Sequence, residues 1–399
     1  MTNVDVVVIG AGPAGSAAAI ELARAGRSVV MIDKAVFPRD KICGDGLTIG
    51  ALRHLDELGL DHQRIVSWQT VDDAVLRAPS GHEFGFGLTK EGRPLAAVAT
   101  RFDLDAALVE AAIKQGVDVR QGHAVAAVAH TSGGVRVSAA GLDPFDARFA
   151  IAADGMWSPT RKLLGLATEG YRGEWHAFRQ YFDDVGPHAR RLYVSFEADL
   201  LPGYFWSFPL ADGRANVGFG IRRGVTQVRD MKALWVDLLA RPHIVELLGP
   251  HATPSESHRA WPIPARVDTI SAASRRVLFV GDAVAACDTM TGEGIGQALQ
   301  TGRLAVATML DGWNEPDRVG TDYRRALDRD MVGDHKMSAL LVKGLSTRRG
   351  ANISIRIAGL SGWTRRNFGR WLFEDYPRAL VATPRRWRRG VLSRPGFDG

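Results

Sequence analysis

The sequence predicts an α/β protein in which a parallel-sheet domain contains an inserted mixed-sheet domain and is followed by a C-terminal helical segment. Three observations predict this class. A β-α-β unit with a glycine-rich turn opens the chain, and a second strand–glycine–helix unit follows near residue 280. Between them, residues 172–222 are aromatic and have the pattern of strands. A domain whose two halves stand so far apart in sequence contains an insertion.

The opening unit has the pattern of a dinucleotide-binding turn. A β-branched apolar run at residues 4–9 predicts a buried parallel strand, and a GAGPAG loop then leads into an alanine-rich helix. Gly10 permits a tight turn, Gly12 lets the backbone approach a pyrophosphate, and Gly15 lets helix and strand pack closely. Asp33 ends the second strand, where a carboxylate can accept from ribose hydroxyls. The alternative is a glycine-rich turn without a ligand. The predicted cofactor-binding residues of this unit are Gly10, Gly12, Pro13, Ala14, Gly15, Asp33 and Lys34.

The rest of the chain divides into three parts. Helices are predicted near residues 48–58, 101–111, 229–249 and 293–310, with short strands over 66–100 and 117–153. The first part is a discontinuous cofactor-binding domain, to which we assign residues 1–75, 101–165 and 270–330. The second is a substrate domain of residues 76–100 and 166–269, and the third is a basic helical segment of residues 331–399.

Composition restricts the class of protein. The 399 residues are 46% hydrophobic and 24% charged, as in a soluble globular protein with room for two or three domains. Two cysteines, Cys43 and Cys287, exclude a disulfide framework and a cysteine-based zinc finger. No apolar run approaches the roughly 18 residues of a membrane span, and no signal peptide follows Met1. We therefore expect a cytoplasmic protein, with peripheral contact at the inner face of the membrane as an option. The net charge of +6 leaves open an anionic cofactor, nucleic acid or an anionic membrane.

Two further glycine motifs follow in order, Asp154-Gly155 and Gly281-Asp282, each after a predicted strand. Taken singly, each pair is more often a turn. Together with the opening loop they resemble the three FAD-binding signatures of flavoproteins with the para-hydroxybenzoate hydroxylase fold, over about residues 1–330. The resemblance implies FAD on a Rossmann-like domain of that type, with Arg101 of the TRFDLD segment against the cofactor. The residues that it adds to the predicted FAD site are Arg101, Asp154, Gly155, Arg161, Gly281 and Asp282.

The last glycine loop, at residues 291–296, presents bare backbone amides at a helix start. Such amides suit the electron-rich edge of a reduced flavin, which adds Gly292, Gly294 and Ile295 to the predicted site. The family usually has a proline shortly before this loop, where the chain reads CDTM at 287–290, so we expect different loop contacts. No second GxGxxG is present, so either NAD(P)H binds transiently or a protein donor supplies the electrons.

Two segments indicate a subfamily. FPRDKICGDGLT at residues 37–48, with Cys43 and Gly44, and PGYFWSFP at 202–209 followed by GFG at 218–220 resemble the motifs of geranylgeranyl reductase-type proteins. Tryptophan halogenases carry a tryptophan where Tyr204 stands, and aromatic hydroxylases usually lack the cysteine segment. The resemblance implies Cys43, Tyr204 and Trp206 as catalytic residues. It places Cys43 and Gly44 in the FAD site as well.

Reduction of an isolated alkene explains why such residues are useful. The alkene needs a proton at one carbon while hydride reaches the other, and aromatic faces stabilise the positive charge that develops. On a strand, Tyr204, Trp206 and Phe208 share one face and are the predicted substrate-binding residues. Cys43 is then a gate, a redox-responsive thiol or part of a proton path. The alternatives are an aromatic core face and a buried small hydrophobic residue, and we expect Cys287 to be structural. None of the eleven histidines has metal-ligand spacing with an acidic partner, so no metal is predicted.

The C-terminal segment is strongly basic. Residues 343–399 contain thirteen Lys and Arg against three Asp and Glu, a net charge of +10, whereas the rest of the chain has a net charge of −4. Aromatic residues alternate with these arginines, which suits a helix at an anionic lipid surface. The alternative is a solvated basic helix whose aromatics pack on the cofactor domain. Nothing else in the sequence supports nucleic acid as a partner, and none is expected. The aromatic residues are Trp363, Phe368, Trp371, Phe373, Tyr376 and Trp387.

The sequence therefore predicts an FAD-dependent reductase that saturates double bonds of an isoprenoid chain. The substrate would be a polyprenyl quinone side chain, a geranylgeranyl group or a prenylated lipid, and the chain's length and basic tail resemble quinone-side-chain reductases. One alternative is a flavin monooxygenase or halogenase that acts on a small aromatic or natural product. Another is a non-catalytic prenyl-binding protein on the same fold, as in GDP-dissociation inhibitors.

Overall fold

The computed structural model of the chain describes residues 2–90, 93–225 and 230–383. The strands are β1 (Thr2–Ile9), β2 (Val29–Asp33), β3 (Gly46–Thr48), β4 (Gln69–Thr70), β5 (Asp73–Arg77), β6 (Glu83–Gly87), β7 (Thr89–Lys90), β8 (Arg93–Pro94), β9 (Ala96–Val98), β10 (Asp118–Gln121), β11 (Val125–His130), β12 (Val135–Ala139), β13 (Phe145–Ala152), β14 (Trp175–Asp183), β15 (Leu192–Ser195), β16 (Tyr204–Pro209), β17 (Ala215–Arg222), β18 (Thr253–Pro254), β19 (Arg259–Ile263), β20 (Ala273–Ser274) and β21 (Val277–Phe279).

The helices are α1 (Pro13–Arg24), α2 (Ile49–Glu57), α3 (Arg101–Lys114), α4 (Pro159–Leu163), α5 (Met231–Ala240), α6 (Pro242–Leu248), α7 (Ile295–Asp311), α8 (Val319–Leu327), α9 (Gly333–Leu345), α10 (Arg348–Ala358) and α11 (Gly362–Leu372). Helix α7 begins two residues later than predicted, because Gly292 has a positive φ of 68° that keeps the loop out of the helix. Among the described helices, none combines the length and the hydropathy that crossing a bilayer requires.

The first sheet carries the opening β-α-β unit. Its order is β10-β2-β1-β13-β12-β11, with β21 on β13 and β20 on β21. Strands β10, β2, β1, β13 and β21 are parallel, so their carboxyl ends meet along one edge. The second half of β1 is fully buried, and α1 packs closely on α7 because Gly302 has no side chain: a Cβ there would lie 2.3 Å from the carbonyl oxygen of Ala14. This sheet is thus assembled from segments that lie far apart in the sequence.

The second sheet is the inserted one. Its order is β18-β14-β17-β16-β15-β5-β6, with β19 on β14. The predicted domain boundary at residues 75/76 is misplaced, because it falls inside β5, which pairs with β15 and β6. The GFG segment of residues 218–220 lies inside β17. One face of this sheet is a core of Phe178, Phe205, Phe219 and Trp235 under α5 and α6.

The C-terminal helices α9 to α11 lie against the second sheet. The ring of Phe368 packs on Phe84 and Phe86 with centroid distances of 6.3 and 6.1 Å, and Phe373 packs on Phe86 at 6.4 Å. The alternative that the tail aromatics pack on the cofactor domain is therefore wrong for Phe368 and Phe373, because apolar rings on β6 receive them. Trp363 is exposed. Outside the described residues lie Trp387, Arg385, Arg386, Arg388 and Arg389.

Candidate active site

One large cavity, of about 820 Å³, lies between the two sheets and the C-terminal helices. At one end the wall is formed by the glycine loops that follow β1, β13 and β21. At the other end it is formed by apolar side chains of β5, β15, β16, α10 and α11. Most of the predicted site residues meet here. The exceptions are Gly15 and Arg161, which do not line the cavity.

The opening loop forms a cradle at the polar end. Gly10 has a positive φ of 105°, and a Cβ there would lie 2.3 Å from the carbonyl oxygen of Ala153. A Cβ on Gly12 would meet only the guanidinium groups of Arg39 and Arg101, each 3.8 Å away. Gly15 serves packing alone, since a Cβ there would lie 1.8 Å from the oxygen of Gly10. Open space over Gly12 beside two cations and a helix N-terminus fits a pyrophosphate.

Asp33 holds the backbone around this cradle. Its carboxylate accepts from the backbone N–H of Ala11 at 2.7 Å and of Ala35 at 2.8 Å. Asp33 and its neighbour Lys34 both line the cavity. Each carboxylate oxygen keeps a lone pair, which leaves Asp33 able to accept from a ribose hydroxyl.

Two arginines share one buried carboxylate behind the cradle. Arg101 donates to Asp105 through two bonds of 2.7 Å, and Arg39 donates to the same carboxylate at 2.6 Å. Burial opposes the ionisation of Asp105, yet Arg101 keeps the pKa of this carboxyl below its usual range. Sequence reasoning identified Arg101 but missed Arg39. The signal available for Arg39 was the basic character of the segment before Cys43.

The second and third glycine motifs are tied together. Asp154 accepts from the hydroxyl of Ser158 at 2.6 Å and from the N–H of Thr160 at 2.8 Å, which shapes the turn at Gly155. Arg161 donates to the carbonyl oxygens of Ala283 and Ser271. Arg161 therefore joins the third motif to the second and does not line the cavity, although the sequence predicts it as an FAD-site residue.

Asp282 lies at the polar end with two partners. Lys41 Nζ lies 3.0 Å from its carboxylate, and Cys287 Sγ lies 3.4 Å away. Burial opposes ionisation, but Lys41 holds the pKa of Asp282 below its usual range, while burial raises the pKa of the Cys287 thiol. Asp282, with Gly281 beside it, lines the cavity and can accept from ribitol hydroxyls. Cys287, expected to be structural, also lines the cavity.

The last glycine loop is held by hydrogen bonds at the position where the family has a proline. Asp288 accepts from the N–H groups of Met290 at 3.0 Å and Thr291 at 2.8 Å, and from the hydroxyl of Ser338 at 2.6 Å. The loop residues that line the cavity are Thr291, Gly292, Glu293, Gly294 and Ile295. The N–H of Gly292 donates to the carbonyl oxygen of Asp288 at 3.0 Å, and the N–H of Gly296 donates to Glu293, so these two amides are used within the protein. Gly294 and Ile295 lie at the start of α7, where the sequence predicts the flavin edge.

The aromatic ladder lies on β16 at the apolar end. Tyr204, Trp206 and Phe208 all line the cavity, with ring centroids 6.1 and 6.2 Å apart. On the neighbouring strand β17, Gly220 stands opposite Tyr204 and Gly218 opposite Trp206. A Cβ on Gly218 would lie 2.3 Å from the Trp206 ring. Gly218 therefore makes room for the Trp206 ring, whereas a Cβ on Gly220 would meet nothing within 4 Å.

Cys43 lies in the cavity wall between the polar and the apolar end. The residues around it, Asp45, Tyr181 and Asn216, were not predicted from the sequence. Asn216 donates to the carbonyl oxygen of Cys43 at 2.9 Å and to Asp45 at 2.8 Å, and Tyr181 donates to Asp45 at 2.6 Å. Trp206 donates to Asn216 at 3.0 Å. Burial, and then Asp45, raise the pKa of the Cys43 thiol, and burial raises the pKa of Asp45 to about 6. The thiol is thus protonated at neutral pH.

The C-terminal helices close the apolar end, which the sequence did not indicate. In the sequence this segment shows apolar and aromatic residues among arginines, from which we expected either contact with lipid or packing of the aromatic residues on the cofactor domain. The residues that line the cavity from this side are Leu340, Leu341, Leu345, Ile355, Phe368, Trp371, Leu372 and Phe373.

Comparison with known proteins agrees with this geometry. Residues 3–321 match the family described as FAD binding domain. The chain is 36% identical to a menaquinone reductase of Mycolicibacterium smegmatis, over 78% of this chain and 77% of that protein. It is 32% identical to digeranylgeranylglycerophospholipid reductase 2 of Methanopyrus kandleri, over 82% and 81% respectively. A solved structure of a geranylgeranyl bacteriochlorophyll reductase-like protein from Thermoplasma acidophilum has the same fold, with a TM-score of 0.79 at 22% identity over 96% of this chain and 98% of that one.

Proposed function

The chain belongs to the FAD-binding domain family and is an FAD-dependent oxidoreductase, and from this premise we propose that it saturates carbon–carbon double bonds of an isoprenoid chain. The observation that carries the proposal is the continuity of the cavity. Its polar end fits the phosphates and ribitol of FAD, and its other end is a long apolar wall with three aromatic rings. A hydrocarbon chain in the apolar end would reach the position of the flavin.

The residues of the chain provide what such a reaction needs. Bound reduced FAD supplies hydride to one carbon of the double bond. The rings of Tyr204 and Trp206 stabilise positive charge at the other carbon, by about 0.5–2 kcal/mol for each ring. The glycine loop and the C-terminal helices exclude water from this carbon. Cys43 holds a protonated thiol in the wall beside Trp206 and Gly44, and we assign it to the proton path.

The substrate class follows from the relatives and from the apolar end. One relative is named for menaquinone and the other for a digeranylgeranyl lipid, and both compounds carry isoprenoid chains. We propose a polyprenyl quinone side chain or a geranylgeranyl lipid as substrate. The electrons come from transiently bound NAD(P)H or from a protein donor.

The alternatives fit less well. A halogenase-type enzyme carries tryptophan where this chain has Tyr204, whose hydroxyl donates to the carbonyl oxygen of Thr291 in the glycine loop. A small aromatic substrate would also leave most of the apolar end empty. A non-catalytic prenyl-binding protein does not need the open cradle over Gly12. These observations favour the reductase over both alternatives.

We also propose peripheral contact with a lipid surface. An apolar patch, exposed to between 48 and 69% per residue, lies on the C-terminal helices and consists of Leu340, Ile353, Ile357, Leu360 and Trp363. Ile353 and Ile357 share one face of α10. The same helix carries Arg348, Arg349 and Arg356, which suit anionic headgroups. Leu340 also lines the cavity, so the patch borders the apolar end, where a membrane-embedded substrate would enter.

The direct test uses chemically reduced protein without oxygen. We expect a panel of menaquinones and geranylgeranyl lipids to yield products heavier by two hydrogens per reduced bond, as detected by mass spectrometry. Absence of product, together with fast substrate-triggered oxygen consumption in the presence of NADPH, would show a monooxygenase. A purified protein without a flavin absorbance spectrum would support the alternative of a non-catalytic prenyl-binding protein.

A further inference from the structure

A second cavity, of about 380 Å³, lies next to the large one on the far side of the last glycine loop. One end is near the surface, since Glu57 in its wall is 49% exposed. Thr48 and Glu293 line the large cavity, whereas Glu374 and Gly296 line the second. These residues therefore form the wall between the two cavities. The other ionisable residues that line the second cavity are Arg53, His54, Asp288, Asp330, Asp334, His335, Tyr376 and Arg378.

Glu293 is a buried carboxyl with little around it to hold a charge. One of its oxygens accepts from the backbone N–H of Gly296, in the first turn of α7. A Cβ on Gly296 would lie 3.0 Å from that oxygen, so the glycine gives the carboxyl its room. Glu293 is thus placed in the wall with one face toward the large cavity.

Glu374 is held on the other side by an unusual backbone. It follows α11 with a φ of +65°, in the left-handed region where a helix end usually has glycine or asparagine. Thr48 donates to one of its oxygens at 2.8 Å and Gln297 to the other at 2.9 Å. Gly50 makes room here too, since its Cβ would lie 3.0 Å from a Glu374 oxygen. A glutamate thus occupies a backbone conformation that is less strained for glycine, and its carboxyl lies in the wall between the cavities.

The charges around the pair favour a bound proton. Arg378 is buried and lies 3.4 Å from Asp288 and 3.5 Å from Glu374, and Asp334 adds another acid. Burial opposes the ionisation of Asp288, but Arg378 holds its pKa below the usual range. Arg378 is therefore largely neutralised by Asp288.

The two glutamates are left with the excess negative charge. Burial, and then the charge of Glu374, raise the pKa of Glu293 to about 8, and burial raises the pKa of Glu374. Tyr204 and Cys287, which also face Glu293, have pKa values raised by burial and stay neutral. The pair thus holds a proton at neutral pH.

We propose that Glu293 and Glu374 form a proton relay from the second cavity into the large one. The relay rests on the proposed function for its purpose: saturating one double bond takes a hydride, which reduced FAD supplies, and one further proton. In each cycle Glu293 gives its proton to the large cavity, takes one from Glu374, and Glu374 is reprotonated by water from the second cavity. Electrons come from the two-electron donor that reduces FAD, and no covalent bond to the protein forms.

The relay is tested first without substrate, in the holoprotein. The midpoint potential of bound FAD is measured from pH 6 to 9, and the infrared band of protonated carboxyl groups is followed over the same range. We expect a change of slope and loss of a carboxyl band near pH 8. Both should be absent in Glu293→Gln, which keeps the acceptor for Gly296, and both should shift in Glu374→Gln. Glu110→Gln, a matched change at an exposed site, should behave as wild type.

Turnover provides the second measurement. We expect Glu293→Gln to lower kcat at pH 7 by at least about tenfold with little change in KM, and Glu293→Asp to restore part of it. An unchanged slope, band and kcat in a folded, FAD-bound Glu293→Gln protein would overturn the relay; if that variant does not fold, the same results in Glu374→Gln would. If the wild type reduces no isoprenoid but its potential still changes slope through Glu293, the proposed substrate is wrong and the relay stands.

Discussion

Gly218 and the indole of Trp206 fit together across neighbouring strands, and this contact explains one of the two motifs that indicate the subfamily. The sequence shows an aromatic alternation and, nine residues later, a GxG. Only the antiparallel register places Gly218 and Gly220 opposite Trp206 and Tyr204. The roles of the glycines could not be predicted because register is set by the whole sheet.

Substitution of Gly218 tests this fit. In Gly218→Ala the new methyl would lie 2.3 Å from the Trp206 ring and 2.2 Å from the carbonyl oxygen of Phe178. We expect the free energy of unfolding to fall by about 1–3 kcal/mol, because the ring must move. Gly220→Ala is the matched control, since a Cβ at that position meets nothing within 4 Å. Equal thermal stability of the two variants would contradict the interpretation.

Cys43 is the second residue whose role depends on its surroundings. The sequence left it as a gate, a redox thiol, a proton carrier or packing. Burial and Asp45 keep it protonated, which favours the proton path over a nucleophilic thiolate. Asp45, Tyr181 and Asn216, which define this environment, come from three separate segments. No local pattern connects them.

We expect Cys43→Ser to keep bound FAD, because the glycine loops that hold it are unchanged. Turnover should fall on the order of 100-fold, the lower range for loss of a proton-transfer group. The flavin absorbance measures the first and anaerobic product formation measures the second. Cys287→Ser makes the same chemical change at the second cysteine of the cavity wall and shows whether the effect is specific to Cys43. Full turnover in Cys43→Ser would assign this residue to packing.

Among the elements, the strand–turn–helix units were predictable and the C-terminal helices were not. Gly10, Gly12 and Gly15 lie within six residues of one another, so their spacing alone predicts the turn between strand and helix. Helices α10 and α11 show only apolar and aromatic residues among arginines. Their buried faces pack against the rings of Phe84 and Phe86, which lie almost 300 residues earlier in the chain. The sequence of the helices alone therefore does not show which face is buried.

The exposed face of these helices carries the prediction on lipid contact. The triple variant Ile357→Asp, Leu360→Asp, Trp363→Asp should lose cosedimentation with anionic vesicles, because it removes apolar area and adds negative charge. Val66→Asp with Val236→Asp changes exposed apolar residues elsewhere, at 88 and 68% exposure, and should bind as wild type. Unchanged binding of the triple variant would show that the apolar patch does not contact lipid.

The whole molecule is assembled around the cavity, and FAD should therefore contribute to its stability. Loops after β1, β13 and β21 meet in the polar end, so a bound cofactor ties together segments from both ends of the first domain. A ligand present at 100 times its Kd adds about 2.7 kcal/mol to the free energy of unfolding.

We expect removal of FAD to lower Tm and readdition to restore it, as measured by thermal unfolding followed by circular dichroism. Riboflavin, which lacks the pyrophosphate that the open space over Gly12 fits, is the control ligand and should restore little. Equal effects of FAD and riboflavin would contradict the assignment of the opening loop to the pyrophosphate.

The sequence by itself determined the fold class and the isoprenoid reductase family and predicted the glycine loops of the FAD site, because the motifs that indicate them each lie within a short segment of the chain. The tertiary structure decided which residues surround the candidate active site: Arg39 beside Arg101, Asn216 beside Cys43, Gly218 under Trp206, and Glu374 behind Glu293. It also decided that helices α9 to α11 close the apolar end of the cavity. These contacts join distant segments, and their partners are selected by packing and burial that only the assembled sheets and helices establish.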